Sequence, residues 1–262
     1  MKSILNLHYR DHSNCGDMAC AVSLWFQFKD CEWHTEDIHK AADLHVEDFA
    51  AVVIGGGGLL NEEWQYVIED VAARNTNTFL WGVGTNTMCR RTDYRVYIPR
   101  NVPRSHVFLR DHNKDACPSL QHPLLKYGAN PNGWRCTEKP VGYVFGSALK
   151  PFPEVELPDN SDAITTELHF EETLSYIRKK ETIVTNSYHS ALWAWRLGKK
   201  VVMVVPDRSK FLQLSMLSAG TIQFWSAWNP PEPYWNAIQP PAPWDGAIDE
   251  PYIKSFVEKA LQ

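Results

Sequence analysis

The chain has 262 residues, 44% of them apolar, and its 26 Lys and Arg residues against 31 Asp and Glu residues give a formal net charge of -5. A chain of this length can bury one large hydrophobic core or two small ones. Because nucleic-acid backbones are held mainly by clustered Lys and Arg, a slightly acidic chain without a basic block argues against nucleic acid as the main partner.

No run of apolar residues is long enough for a transmembrane segment, and the N-terminus lacks the apolar core of a secretory signal, so we expect a cytoplasmic protein. The six cysteines form no Cys-x-x-Cys pair and no zinc-type spacing with histidine. We therefore expect reduced, mostly buried thiols, and neither a metal site nor a disulfide framework.

The first half alternates short apolar runs with amphipathic stretches, a pattern typical of strands and helices around a parallel sheet. The predicted strands are Ile4–Leu7, Ala50–Ile54, Phe79–Val83 and His106–Leu109. The predicted helices, which carry apolar residues at helical spacing, are Asp17–Phe28, Glu62–Arg74 and Lys114–Tyr127.

A stretch rich in Gly, Pro and Asn, from Tyr127 to Pro140, is typical of a linker, and a second unit is predicted to begin near Val141. Its pattern is again β-α-β, for which right-handed crossovers are the rule. The predicted elements are helix Leu168–Lys179, strand Thr182–Thr185, helix Tyr188–Leu197, strand Lys200–Val205 and helix Lys210–Ala219.

The C-terminal part holds seven of the 17 prolines, between Pro230 and Pro251, interleaved with Tyr234, Trp235 and Trp244. Proline prevents a regular helix or a central strand here, so we expect an ordered segment that wraps the surface. A final helix is predicted over Tyr252–Leu261.

Four consecutive glycines, Gly55–Gly58, follow the β-branched run Val52–Ile54 and precede a helix. Glycines in this position let backbone N–H groups approach an anion at a helix N-terminus. The dinucleotide pattern GxGxxG and the Lys-Ser/Thr of a P-loop are both missing, so we expect no nicotinamide, flavin or other organic cofactor. A second interpretation stays open, in which the glycines only permit close packing of strand and helix.

Three further loops are predicted at the same edge of the sheet: Asn14–Asp17, Gly82–Asn86 and the strand end at Arg110. Ligands of open α/β sheets bind beyond the carboxyl ends of the strands, so this clustering favours a ligand site. Arg110 suits bidentate binding of a carboxylate or phosphate, although an ion pair with its neighbour Asp111 is the alternative. Asp17 is either functional or a helix cap.

His189 lies in the predicted first turn of the helix that follows strand Thr182–Thr185. A helix N-terminus disfavours the imidazolium ion and attracts anions. His189 is therefore a candidate neutral hydrogen-bond donor to a phosphate, or a proton carrier, although a lone histidine is more often structural.

Taken together, these motifs resemble the polysaccharide pyruvyl transferase family. The matching elements occur in the family's order: Gly16-Asp17 entering the first helix, VVIGGGGLL, FLWGVGTN, FLRD at 108–111, and TNSYHSALWAWRLGKKVVMV at 185–204. The resemblance implies two Rossmann-like domains that face each other across a cleft, as in GT-B glycosyltransferases, here over residues 1–130 and 138–262.

The resemblance also implies a reaction, in which a pyruvyl group passes as a ketal from phosphoenolpyruvate to a sugar, nucleotide-sugar or lipid-linked glycan. The candidate proton-transfer residues are His189 and Asp17. The candidate donor-binding residues are Gly16, Gly56, Gly57, Gly58, Gly84, Asn86, Arg110, Ser187 and Tyr188. Members of the family commonly have Arg where this chain has Ser187, so that donor-binding Arg is absent or supplied elsewhere.

Two alternatives remain. A GT-B glycosyltransferase would hold the diphosphate of a nucleotide sugar with the same loops. A non-catalytic sugar-binding relative would stack a sugar on one of several tryptophans, although packing is the more common role of such residues. The tryptophans in question are Trp193, Trp195, Trp225, Trp228, Trp235 and Trp244.

Overall fold

The computed structural model describes residues 1–10, 13–85, 99–110, 116–126, 141–146, 162–205, 214, 222–226 and 250–262. The chain divides into two compact units. The first comprises Met1–Asp11, Asp17–His122 and Ala247–Gln262, and the second comprises His12–Gly16 and Pro123–Gly246.

The first unit is built on a five-stranded, all-parallel sheet with the order β2-β1-β3-β4-β5. Its strands are β1 (Ser3–His8), β2 (Glu32–Asp37), β3 (Ala51–Gly55), β4 (Thr78–Val83) and β5 (Val107–Leu109). The central strands β3 and β4 are buried along their whole length, as expected for runs of apolar residues covered on both faces.

Helices cover both faces of this sheet. They are α1 (Cys15–Gln27), of which the residues from Asp17 onward belong to the first unit, α2 (Glu62–Arg74) and the C-terminal helix α6 (Glu250–Ala260). Alternate residues of β3 serve different faces: Val52 and Ile54 pack in one apolar cluster with Ile68 of α2, whereas Val53 packs in another with Leu24 of α1 and Phe256 of α6.

The second unit contains another five-stranded parallel sheet, with the order β10-β9-β8-β6-β7. The strands are β6 (Val141–Phe145), β7 (Ala163–Thr165), β8 (Thr182–Thr185), β9 (Lys200–Val205) and β10 (Gln223–Ser226), and the helices are α3 (Pro123–Lys126), α4 (Phe170–Arg178) and α5 (Tyr188–Arg196). When strands are counted within each unit, both sheets have the order 2-1-3-4-5, which is that of flavodoxin-like folds.

The predicted α/β class with parallel sheets is confirmed, and most of the predicted strands and helices lie within two residues of the observed ones. The predicted helix Lys114–Tyr127 is wrong over its described residues. These residues form a short 3-10 turn, Pro118–Gln121, followed by the four-residue helix α3, because Pro118 and Pro123 each interrupt helical hydrogen bonding.

The C-terminal helix differs in another way from the expectation. It was predicted as part of a second domain spanning 138–262, but α6 packs in the core of the first unit through Ile253, Phe256 and Ala260. The physical reason is an apolar stripe on α6 that meets an aromatic cluster of the first sheet, in which Phe256 stacks on Trp81 with ring centroids 3.9 Å apart.

Some predicted elements lie outside the described residues. They are the linker from Tyr127 to Pro140, the helix Lys210–Ala219 except for Leu214, and the Pro-rich segment 229–251 except for its last two residues. Among the helices that the structure does describe, none is both long and apolar enough to cross a bilayer.

Candidate functional site

The shared strand order gives each unit one topological switch point, where the sheet grows in opposite directions from a pair of adjacent strands. This point lies between β1 and β3 in the first unit and between β6 and β8 in the second. In open α/β sheets, ligands bind beyond the carboxyl ends of the strands at such a point. The carboxyl ends of these strands are therefore the candidate site of each unit.

In the first unit, the glycine loop after β3 packs against helix α1. Gly56 and Gly57 have φ angles of +79° and +81°, a region that side chains with a Cβ rarely adopt. A Cβ on Gly56 would collide with Cys20, and one on Gly57 would lie 3.2 Å from Oδ1 of Asp17. Of the two interpretations of these glycines, the geometry therefore supports close packing of strand and helix.

The same loop is bonded to the loop after β4. The backbone N–H of Gly84 donates to the carbonyl of Gly57, and the N–H of Leu60 donates to the carbonyl of Gly84, both at 3.0 Å. The half-buried Gly58 accepts a hydrogen bond from the side-chain amide of Asn61 at 2.9 Å. The structure thus brings together the predicted residues Gly56, Gly57, Gly58 and Gly84.

The N-terminus of α2, which follows this loop, is already satisfied by the chain itself. Oδ1 of Asn61 accepts from the backbone N–H groups of Glu63 and Trp64 at 2.9 and 3.3 Å. Glu62 and Glu63 stand in the first turn, where their negative charge complements the helix dipole. An anionic ligand at this helix end would meet these carboxylates, and so the geometry disfavours it.

Arg110 follows β5, and its backbone N–H donates to the carbonyl of Val83 at 3.2 Å. Its side chain is only 2% exposed, so a donor anion would have to reach a deeply buried guanidinium. The donor-binding role of Arg110 stays a prediction. Asn86, the other candidate near this strand edge, lies outside the described residues.

An aromatic cluster at the carboxyl ends of β1 and β2 was missed by the sequence analysis, which gave His39 no role. The ring of His39 lies 4.7 Å from that of Trp64 and 5.5 Å from that of Tyr9, between centroids. Oδ1 of Asp37 accepts from the backbone N–H of His39 at 3.0 Å and from its Nδ1 at 2.8 Å. Burial alone would raise the pKa of Asp37, but these bonds outweigh it and lower the pKa.

Two buried thiols lie beneath the glycine loop. The Sγ atoms of Cys20 and Cys117 are within 4.8 Å of each other, and neither cysteine forms a disulfide bond. The hydrogen bond with Cys117, together with burial, raises the pKa of the Cys20 thiol. Cys20 is therefore a protonated packing residue and a poor nucleophile at neutral pH.

In the second unit, residues 13–16 dock on the carboxyl end of β7. The N–H of Cys15 donates to the carbonyl of Thr166 at 2.9 Å, and the hydroxyl of Thr166 donates to the carbonyl of Ser13 at 3.3 Å. Thr166 in turn donates its N–H to the carbonyl of Phe145, at the end of β6, at 2.8 Å. The strand edge of this unit therefore includes the first residues of α1.

His189 occupies the second position of α5 and is 6% exposed. A Cβ on Gly16 would collide with its ring, so the backbone at Gly16 lies directly against the imidazole. The predicted residues Gly16 and His189 thus meet in the second unit, whereas Asp17 belongs to the first. The ring of Tyr188, which is also buried, lies edge-on to that of His189 at 5.6 Å.

Ser187 acts as the N-cap of α5. Its hydroxyl accepts from the backbone N–H of Ser190 at 3.4 Å, and its own N–H donates to the hydroxyl of Thr185 at 2.9 Å. This role accounts for a serine at this position, since serine is among the preferred N-cap residues. Neither the cap nor the first turn of α5 carries an acidic residue.

Asn186, which immediately follows β8 at the switch point, was not among the predicted site residues. Its Oδ1 accepts from the backbone N–H of Gly146, the residue after β6, at 2.7 Å. Its Nδ2 is buried and has no hydrogen-bond partner among the described residues. A polar residue directly after a buried central strand is the sequence signal that could have identified it.

No family model matches this chain, and no curated protein matches it. Among solved structures, it is similar to an uncharacterized protein from Klebsiella pneumoniae, with a TM-score of 0.50 and 13% identity over 86% of this chain and 93% of that one. This similarity supports the fold alone.

Two weaker similarities have TM-scores too low to support an argument. One is to a Mycobacterium smegmatis protein in complex with β-D-fucofuranose, with a TM-score of 0.31 and 11% identity over 85% of this chain and 79% of that one. The other is to a galactofuranose-binding protein, with a TM-score of 0.30 and 10% identity over 78% and 76%.

Proposed function

We propose that this protein is a pyruvyl transferase that moves a pyruvyl group, as a ketal, from phosphoenolpyruvate to a sugar of a polysaccharide or glycan precursor. The observation that carries the proposal is the position of His189, in the first turn of α5 at the switch point of the second sheet, with its ring held against Gly16. The order of the sequence motifs supports it, and the GT-B-like architecture that those motifs imply is part of the same proposal.

The reaction needs proton transfer and one displacement at carbon. A proton added to the methylene carbon of phosphoenolpyruvate makes C2 electrophilic, and a sugar hydroxyl adds to C2 and loses its own proton. A second hydroxyl of the same sugar then adds to C2 as the bond between C2 and the phosphate oxygen breaks, and its proton leaves with the phosphate. This closes the ketal and releases inorganic phosphate. In this scheme His189 delivers the first proton and recovers one from the attacking hydroxyl.

The surroundings of His189 suit this role. The N-terminal end of α5 carries a partial positive charge of about half an elementary charge, which attracts the donor's carboxylate or phosphate. The ring of His189 occupies the space that a Cβ on Gly16 would need. One side of the ring is thus packed against the backbone of Gly16.

The test is incubation with phosphoenolpyruvate and a panel of galactose-, glucose- and mannosamine-type acceptors, followed by measurement of inorganic phosphate and of the mass of the acceptor. We expect phosphate release coupled to a ketal-linked pyruvyl group. His189→Ala should lower turnover by a factor on the order of a hundred or more, because general acid–base catalysis contributes about that much.

The matched control is His169→Ala. His169 also stands at the start of a helix of the second unit, but it is exposed and makes no side-chain cap bond. Its loss should leave turnover unchanged. Turnover that falls equally in both variants, or phosphate release without pyruvylated acceptor, would contradict the proposal.

One observation favours a second candidate, a sugar-binding protein without pyruvyl transfer. The exposed rings of Tyr9 and His39, which pack against the buried Trp64, lie beside the carboxylate of Asp37, an acceptor for sugar hydroxyls. Sugar binding that is lost in Tyr9→Ala, in a protein that binds neither phosphoenolpyruvate nor nucleotide sugars, would favour this candidate. Binding of a nucleotide sugar but not of phosphoenolpyruvate would instead favour a GT-B glycosyltransferase.

A further inference from the structure

We infer that the side-chain amide of Asn186 binds an oxyanion, a carboxylate or phosphate oxygen, at the switch point of the second sheet. The inference deepens the proposed function and rests on it for the identity of the donor. It assigns one of the donor's anionic groups to a residue that the family resemblance does not point to.

The orientation of the amide is fixed by its neighbour. The N–H of Gly146 can only donate, so the atom of Asn186 that faces it at 2.7 Å must be the acceptor, Oδ1. The NH2 group is consequently the opposite end of the same planar amide, in the residue that directly follows β8. Asn186 thus presents a fixed pair of donor hydrogens at the place where this fold class binds ligands.

The NH2 group of Asn186 is buried. Asn186 is only 2% exposed, and within the described part of the chain its Nδ2 has no acceptor. A buried donor without an acceptor costs about 1–3 kcal/mol, so such groups are rare unless they have a function. An oxygen atom of a bound ligand would remove this cost.

A second unsatisfied polar atom lies in the same stretch of chain. Ser190, in the first turn of α5, is fully buried, and its hydroxyl oxygen makes no hydrogen bond to any residue that the structure describes. Two such polar groups four residues apart, on either side of one helix start, indicate that this segment is completed by a group other than the described residues.

The charge of the surroundings indicates an anion. Both unsatisfied groups can donate, the partial positive charge of the α5 N-terminus lies between them in sequence, and residues 185–190 include no acidic side chain. A charge-assisted hydrogen bond from Nδ2 is stronger than a neutral one, and this favours a carboxylate or phosphate over a hydroxyl.

The first unit provides the internal comparison. Asn61 also stands before the helix that follows the third strand of its sheet, but there both ends of the amide are hydrogen-bonded: Oδ1 accepts from Glu63 and Trp64, and Nδ2 donates to the carbonyl of Gly58. An asparagine is thus bonded at both ends of its amide in the first unit, whereas in the second only the oxygen end is bonded among the described residues.

The experiment uses the full chain and two separate probes, inorganic phosphate and pyruvate, with affinity measured by calorimetry. Asn186→Asp keeps an oxygen for Gly146 but replaces the donor with a carboxylate of the same shape. We expect the affinity for the probe that occupies this position to fall by about tenfold to a hundredfold, as expected for the loss of a charge-assisted bond. The probe that responds identifies whether the carboxylate or the phosphate end binds at Asn186.

Asn61→Asp is the matched control and should leave both affinities unchanged. The wild-type protein gives an independent readout, because the side-chain amide protons of Asn186 should shift downfield on titration with the responding probe. This readout decides the question even if Asn186→Asp does not fold. Equal affinity in Asn186→Asp and wild type, or amide protons that do not shift with either probe, would overturn the inference.

These outcomes can be separated from failure of the proposed function. Oxyanion binding that depends on Asn186, in a protein that never transfers pyruvyl, would support the inference and contradict the function. Pyruvyl transfer with an unchanged KM for phosphoenolpyruvate in Asn186→Asp would support the function and contradict the inference.

Discussion

The two units have the same strand order but differently completed strand edges. In the first, the glycine loop is packed on α1 and the helix that follows begins with Asn61 and two glutamates, so its N-terminus is satisfied and acidic. In the second, the helix after the corresponding strand begins with Ser187, Tyr188 and His189, and Asn186 keeps an unused donor. The strand order determines where the loops come together in each unit. The few residues after the third strand determine whether that place favours or disfavours an anion.

The comparison changes the assignment of the glycine-rich motif. A run of four glycines before a helix is a common anion-binding pattern, and Gly56, Gly57 and Gly58 were accordingly predicted to bind the donor. Here they allow α1 to approach the sheet. The less conspicuous segment 185–190 has the chemistry of an anion site, and the acidic and aromatic groups of the first unit suit neutral sugar hydroxyls better.

The largest expected effect concerns the separate cores of the units. Phe256→Ala should cost about 3–5 kcal/mol, because a fully buried ring packed on Trp81, Phe28 and Phe79 is replaced by a cavity. Hydrogen exchange should accelerate first in β1, β3 and β4. The matched variant Trp193→Ala, which removes a buried ring from the second unit, should instead accelerate exchange in β6 and β8. Equal acceleration in all five strands for both variants would contradict the division into units.

The two close-packed glycines should respond differently to the same substitution. Gly57→Ala forces a side chain into a positive φ and against Asp17, which should destabilise the protein by about 1–3 kcal/mol while phosphate affinity stays unchanged. Gly16→Ala should displace the His189 ring and abolish turnover. Thermal melts and phosphate titrations of both variants check this. A loss of phosphate affinity in Gly57→Ala alone would indicate that the glycine loop binds the donor.

Removal of the orphaned hydroxyl in the second unit should have a smaller effect. Ser190→Ala replaces a buried, unpaired Oγ with hydrogen, so the ligand-free protein should be unchanged or more stable by up to about 1 kcal/mol. Chemical denaturation without phosphate or pyruvate measures this. Clear destabilisation would show that the hydroxyl has a structural partner.

The smallest expected effect is a pH dependence in the first unit. Burial lowers the pKa of His106, whose ring stacks on Phe79 with centroids 4.0 Å apart. The stability that comes from the neutral ring is therefore present above the ordinary histidine pKa and is lost as the pH falls through the lowered value. His106→Phe keeps the stacked ring without the titration, so its melting temperature should fall less than that of wild type between pH 7 and pH 5. Parallel curves would contradict this.

Local pattern predicted much of the fold. The bounds of α2, β8 and β9 follow from apolar periodicity and β-branched runs, and all three agree with the prediction. The strand β2 was missed because EWHTED is polar and lies at the sheet edge, where pairing with β1 rather than side-chain burial holds it. The packing of α6 in the first unit depends on contacts between opposite ends of the chain, which no local pattern contains.

The candidate site was predictable in part for a similar reason. A histidine in the first turn of a helix after a strand is visible in the sequence, and so is a glycine before Asp17. That Gly16 lies against His189 depends on how residues 13–16 dock on β7. The role of Asn186 depends on the hydrogen bond that its Oδ1 accepts from Gly146 and on the absence of a partner for its Nδ2 among the described residues. Neither fact has a signature in the sequence.

The most direct test of the central claim is a titration of isotope-labelled protein with phosphoenolpyruvate, followed through its backbone amide resonances. If phosphoenolpyruvate binds in the second unit as we propose, the largest shifts should fall on residues 186–190 and on Gly146 and Gly16. Shifts concentrated instead on Gly55–Gly58 and Arg110, with residues 186–190 unmoved, would contradict it.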